Sequence, residues 1–142
     1  MKENILKIKS YEFAIRIVKL SQYLQTERKE FVLSKQILRS GTAVGALIRE
    51  AEYGQSKTDF IHKLTISLKE ANETEYWINI LKDTGYIDCK LYESIPQDCK
   101  ELLRLLLHLL KPQKTMKNEQ RKMKNKTIKN YLIVHCSLFI VH

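Results

Sequence analysis

Apolar side chains recur at steps of three and four residues through most of this chain, a spacing that gathers them on one face of a helix. The first such run predicts a helix over about Tyr11–Thr26, with Phe13, Ile17, Leu20 and Leu24 on its stripe. A second run, about Phe31–Tyr53, aligns Ile37, Gly41, Val44, Ile48 and Ala51. Gly54 follows as the expected C-terminal cap, because glycine enters the left-handed conformation without a Cβ clash. Ser56 and Asp59 in "SKTD" then have the spacing of a capping-box variant. They open a third helix that runs to about Asp83, with Gly85 beyond it. Its stripe is the heptad-like series Phe60, Leu64, Ser67, Ala71, Thr74, Ile78 and Leu81.

The fourth segment, "YESIPQDCKELLRLLLHLLK", allows two starts. Ser94 caps a helix that holds Pro96 in its first turn, or Asp88 caps a longer helix that Pro96 kinks. Its end is unambiguous. Ile95, Cys99, Leu102, Leu106 and Leu109 form one stripe, and Leu103, Leu105, Leu107 and Leu110 make the helix apolar almost all round. Short connections near 27–29, 54–55 and 85–88 demand antiparallel neighbours. The pattern therefore predicts an all-α protein, an antiparallel up-down-up-down four-helix bundle over residues 1–112. A mid-helix glycine costs roughly 1 kcal/mol. Gly41, with Ser67, Ala71 and Thr74 on core stripes, predicts that the second and third helices approach closely.

Residues 113–142 break this pattern: a basic polar run, expected to be disordered or weakly helical, precedes the apolar "YLIVHCSLFIV". No function is assigned to that tail, which reads equally as a docking segment, an aggregation-prone stretch or sequence beyond the bundle's usual end. The tail changes the meaning of the net charge of +9. Residues 1–110 hold 17 basic and 15 acidic side chains, a balance of +2, whereas residues 111–142 hold 8 and 1, a balance of +7. Charge alone is thus weak evidence about what the bundle binds. Cys89, Cys99 and Cys136 have no pairing or metal-ligand spacing, and no signal peptide is evident. Free thiols in a reducing cytoplasm are expected. No apolar run reaches the ~20 residues that span a bilayer, so no membrane partner is expected.

No constellation in the sequence has the residues that catalysis or metal binding needs. "DFIH" places Asp59 and His62 as one Glu-x-x-His-like element where bundle metal sites need two. His135, Cys136 and His142 lack a recognised zinc spacing. Glu70, Glu73 and Glu75 fan over different faces of the third helix. No catalytic residue, metal or cofactor is expected, and the chain reads as a non-enzyme.

Two surfaces remain. On the second helix Lys35, Arg39, Thr42, Ala46, Arg49 and Tyr53 fall near one line at about 100° per residue. Cations in such a row suit phosphates, and the tyrosine ring can stack on a base. Lys57 and Lys63 on the third helix extend the candidate nucleic-acid surface, while Arg39 is alternatively an ion-pair partner of Glu70 or Glu73. The second surface groups Ile66, Tyr76, Trp77 and Ile80 away from the core stripe. With Leu103 and Leu107 of the fourth helix it is the candidate oligomer interface; alternatively Trp77 packs at the edge of the bundle's own core.

The stretches "YEFAIRIVKL", "VLSKQILRSGTAVGALIREAEYGQSKTDFIHKL" and "LKEANETEYWINILKDTGYI" resemble the small four-helix-bundle proteins related to those encoded within 23S ribosomal RNA intervening sequences. The resemblance covers about residues 8–110 and is most distinctive from Leu38 to Phe60. It implies a bundle that assembles as a ring-like homopentamer. Relatives include the accessory protein of diversity-generating retroelements, which binds nucleic acid and a reverse transcriptase through a basic surface. Pro96, and the tail from Lys114 on, depart from the family pattern. The expected function is therefore a homo-oligomeric module that binds RNA or DNA through repeated basic faces; the alternative is a scaffold for a partner protein.

Overall fold

A computed structural model describes residues 2–88 and 90–112, with side chains from residue 5. The expectations for Cys89, for the tail with its Cys136, and for the histidine pair His135 and His142 lie outside those residues. The helices are α1 (Lys2–Thr26), α2 (Leu33–Glu52), α3 (Lys57–Asp83) and α4 (Ile95–Leu110), with a single 3-10 turn at Lys90–Tyr92 before α4. They belong to one compact unit, Met1–Leu110. α2 packs on α1 and α3, and α4 closes the bundle against α3 and α1. Contacts run in opposite directions along each pair. The Ser67 hydroxyl donates to the Val44 carbonyl at 2.9 Å, and four residues back on α2 Ser40 lies 2.9 Å from Thr74, seven further on α3. Lys9 pairs with Glu101 and Arg16 with Asp98 across α1 and α4. The chain is an antiparallel four-helix bundle.

The predicted core stripes form the observed core, with Ile17, Leu20, Leu24, Ile37, Val44, Ala71, Ile78, Leu81, Cys99 and Leu106 excluded from solvent, while Phe60 and Leu109 at the stripe ends are half-buried against it. Four details differ from the sequence reading. α1 begins at Lys2 rather than near Tyr11, and its early turns bury Leu6 and Ser10. A polar Ser10 in the core stripe hid them; it fits because Gly45 of α2 approaches its backbone, and a Cβ there would lie 3.4 Å from the Ser10 carbonyl.

Gly41 is the second difference. It faces α1, not α3: a Cβ there would stand 2.8 Å from both γ-carbons of Ile17. The α2–α3 seam is instead closed by small polar side chains, the Ser67–Val44 and Ser40–Thr74 contacts above. Third, Gly54 does not take a positive φ. Its lack of a Cβ makes room for the Phe60 N–H and the Ala51 carbonyl, each 3.1 Å from where one would sit, while the left-handed glycine is Gly85 (φ 79). Of the two starts left open for α4, the first is observed. Helix bonds return to the Ser94 carbonyl, and Pro96 occupies the first turn, where its missing N–H costs nothing.

The fourth difference lies at the start of α2. Its N-cap residue, Val32, offers no acceptor. Glu30 supplies one, its carboxylate taking the N–H groups of Val32, Leu33 and Ser34 at 2.9, 2.8 and 2.7 Å. Partial burial pushes the Glu30 carboxyl up, but the three donors outweigh it and hold the group below the ordinary carboxylate range. Glu30→Ala should cost about 1–2 kcal/mol at neutral pH, as the loss of a helix cap does. Because the folded state lowers this pKa, the stabilisation is complete above the unfolded value and fades as pH falls through the folded one. Urea melts should therefore separate wild type from variant by the full amount above about pH 5, and the gap should narrow only as pH falls below the ordinary Glu value of about 4.3.

The α3–α4 connection is fastened to the end of α1. Arg28 donates to Asp88 at 2.8 Å and to the Gly85 carbonyl at 3.0 Å, and the Tyr23 hydroxyl donates to Asp88 at 3.0 Å.

Candidate nucleic-acid and subunit surfaces

α2 is 20 residues long, so its outer face extends about 30 Å. Lys35, Arg39, Ala46, Arg49 and Tyr53 all lie exposed along it, as their spacing predicts. Tyr53, at the C-cap, is 87% exposed. Lys35 makes no ion pair among the described residues. Arg39 is shared: it pairs with Glu73 and, at 3.3 Å, with Glu70. Glu73 also accepts from the Trp77 indole N–H at 3.1 Å. The indole first and then the Arg39 guanidinium hold its carboxyl below the usual range. Arg39 thus ties α2 to α3 while keeping its far side in solvent.

Arg49 lies over the ring of Tyr11, 5.5 Å from its centroid. Lys63 pairs with Glu50 at 2.8 Å, and Lys57 is exposed at the first turn of α3. The structure therefore spreads the five cations rather than converging them, with Arg49 turned toward α1 and Arg39, Lys57 and Lys63 toward or on α3. Such an arrangement suits several separated phosphates better than one small anion, because no single pocket desolvates them together.

The candidate interface residues are distributed differently. Ile66, Ile80, Trp77 and Leu103 are half-buried, and Trp77 and Leu103 pack against the protomer's own core. Tyr76 stands edge-on to Trp77 with centroids 5.1 Å apart, and Leu107 is exposed.

A surface that the sequence reading missed is the outer face of α1. Ile8, Tyr11, Ile15 and Val18 are exposed at steps of three and four, with Ile5 beside them. Ile8, Tyr11 and Ile15 border a groove of about 410 Å³ that Lys7, Glu12 and Arg49 also line. The spacing was legible, but with the core stripe of Phe13, Ile17, Leu20 and Leu24 on the other side, the outer stripe is not set off by a polar face.

Among the described residues no three His, Cys, Asp or Glu side chains converge on a possible metal position, and no helix is long and apolar enough to cross a membrane.

Comparison with known proteins adds the family. The pattern of the 23S rRNA-intervening sequence proteins matches residues 2–108. A crystal structure at 1.70 Å of a protein of unknown function, from the S23 ribosomal protein family of Bacteroides thetaiotaomicron VPI-5482, is 59% identical. It superposes with a TM-score of 0.76 over 79% of this chain and all of that one. Curated proteins give no match. The bundle, the motif from Leu38 to Phe60 and these likenesses agree, and the chain belongs to the 23S rRNA-intervening sequence protein family.

Proposed function

We propose that this protein is a non-enzymatic, homo-oligomeric helical bundle that binds structured RNA or DNA through the outer face of α2 and the adjoining turns of α3. The observation that carries the reading is the set of exposed cations Lys35 and Arg39 on the outer side of α2, with Tyr53 at its C-cap and Lys57 in the first turn of α3. A protomer whose first 110 residues balance at only +2 gains little from one such set. Copies arrayed in a ring, five in the family's likeness, multiply it without any new contact type.

Binding should then weaken steeply with salt, since each neutralised phosphate releases counterions. Replacing Lys35, Lys57 and Tyr53 by Ala in the full chain holds the tail's cations constant. The log–log salt slope is expected to flatten by about 1.5, with a further loss of about tenfold in affinity from the stacking ring. Filter binding on a structured RNA and on duplex DNA measures both. A variant that binds as tightly as wild type, with the same slope, removes this face from the proposal. A partner protein retained after nuclease treatment of a lysate would favour the scaffold reading.

A further inference from the structure

The outer face of α1 has a composition that the proposed function does not use. Ile8, Tyr11, Ile15 and Val18 are 51%, 56%, 40% and 38% exposed. With Ile5 they leave on the order of 400 Å² of mostly apolar side chain uncovered, within the size range of the largest patch on a monomer, which is often functional. Contact surfaces are roughly 60% apolar, so a patch this large matches a standard interface of about 800 Å² per partner.

The spacing narrows the occupant. Residues 8, 11, 15 and 18 repeat as the two core positions of a heptad, isoleucine in one and tyrosine or valine in the other, with polar Asn4 and Gln22 at the next positions out. Such a seam fits another helix.

Charge narrows it further. The rim toward α2 is positive: Lys7, bridged to Glu52 at 2.8 Å, and Arg49, which meets no carboxylate among the described residues. The rim toward α4 holds Glu12, beside Lys9 and Arg16; those two pair with Glu101 and Asp98, and Glu12 is left without an ion pair among the described residues. One cation and one carboxylate that make no ion pair among the described residues thus flank the same apolar stripe on opposite sides.

We infer that α1 is the helix by which copies of this chain associate, with neighbouring α1 helices parallel about a shared rotation axis. In that arrangement the positive rim of one copy meets the negative rim of the next. Lys7 and Arg49 then lie against Glu12 of the neighbouring copy, and Lys7 and Glu12 hold the flanking heptad positions that pair in parallel helices. An antiparallel arrangement instead sets like rims together. The inference rests on the proposed self-association and assigns its face. It moves Arg49 from the phosphate surface to the subunit contact, and it places the contact on α1 instead of on Ile66, Trp77, Ile80, Leu103 and Leu107.

The test is the mass of the full chain by sedimentation equilibrium, with circular dichroism to verify folding. Wild type is expected to exceed the 16.8 kDa of one chain by a whole-number factor. The double variant Ile8→Glu/Ile15→Glu alters exposed positions only and should be a folded monomer. Glu12→Arg and Arg49→Glu should each raise the dissociation constant at least tenfold, and combining them should restore most of that loss. Leu107→Glu should leave the mass unchanged.

An oligomer that persists in Ile8→Glu/Ile15→Glu, or one that dissociates only in Leu107→Glu, overturns the α1 assignment and leaves self-association standing. Charge variants whose effects add, with no recovery in the combination, overturn the parallel arrangement. A wild type that is monomeric at about 100 μM overturns both the face and the self-association on which the avidity argument depends.

Discussion

Gly41→Ala is expected to lower stability by about 1–3 kcal/mol, although alanine is the better helix former by about 1 kcal/mol. A Cβ at this position would lie 2.8 Å from Cγ1 and Cγ2 of Ile17 and 3.3 Å from its Cβ. Ile17 cannot yield cheaply. It is fully buried, and a β-branched side chain in a helix has one strongly preferred χ1. The added methyl must therefore push α1 from α2, loosening the core to which Phe13, Ile17 and Val44 belong. Ile17→Ala alone should cost about 2–5 kcal/mol through the cavity it leaves. In combination with Gly41→Ala the two losses should fall short of their sum by at least about 1 kcal/mol, because the truncated side chain makes the space that the methyl needs. Urea denaturation of the four chains measures the cycle. Additive losses would mean that Gly41 does not set the α1–α2 spacing.

Ala71→Leu is expected to have an effect at least as large, about 3 kcal/mol, and a chemical signature. Ala71 is fully buried on α3, and its carbonyl lies 3.4 Å from the Cys99 sulfur of α4. Three further carbons have no space between those helices, so overpacking strains the core or lifts α4. Cys99 reads out which occurs. Burial, ahead of the nearby Glu75 and Asp98 charges, pushes its thiol up to about 12, so the native protein presents almost no thiolate near pH 8. In a chain carrying Cys89→Ser and Cys136→Ser, a thiol reagent should label Cys99 at least tenfold faster once Ala71→Leu is added. Unchanged labelling with unchanged stability would show that α3 and α4 are not held at that distance by Ala71.

The helix count, the direction of each connection and nearly all core positions were readable from spacing, because a residue every three or four places must share a helix face whatever lies opposite it. That is why Ile37, Val44 and Ile48, or Leu64, Ala71 and Ile78, were identifiable as core without any knowledge of their neighbours. The cap of α3 was readable too, since Ser56 needs only the N–H of Asp59, three residues on, at 3.1 Å.

What spacing could not supply was the identity of the helix opposite. Gly41 announces a close approach, but only the packed bundle shows that Ile17 rather than α3 fills the space. Glu30 looks like a loop carboxylate until the chain turns it onto three amides of α2. Arg39, read as a cation for phosphate, acquires Glu70 and Glu73 from another helix, and Trp77 is drawn partly inward by the same Glu73. The exposed stripe of α1 was written in the sequence, yet it was indistinguishable from a second core face. Periodicity is a property of one helix, whereas partnership, burial and leftover charge belong to pairs of helices, and only the tertiary structure forms the pairs.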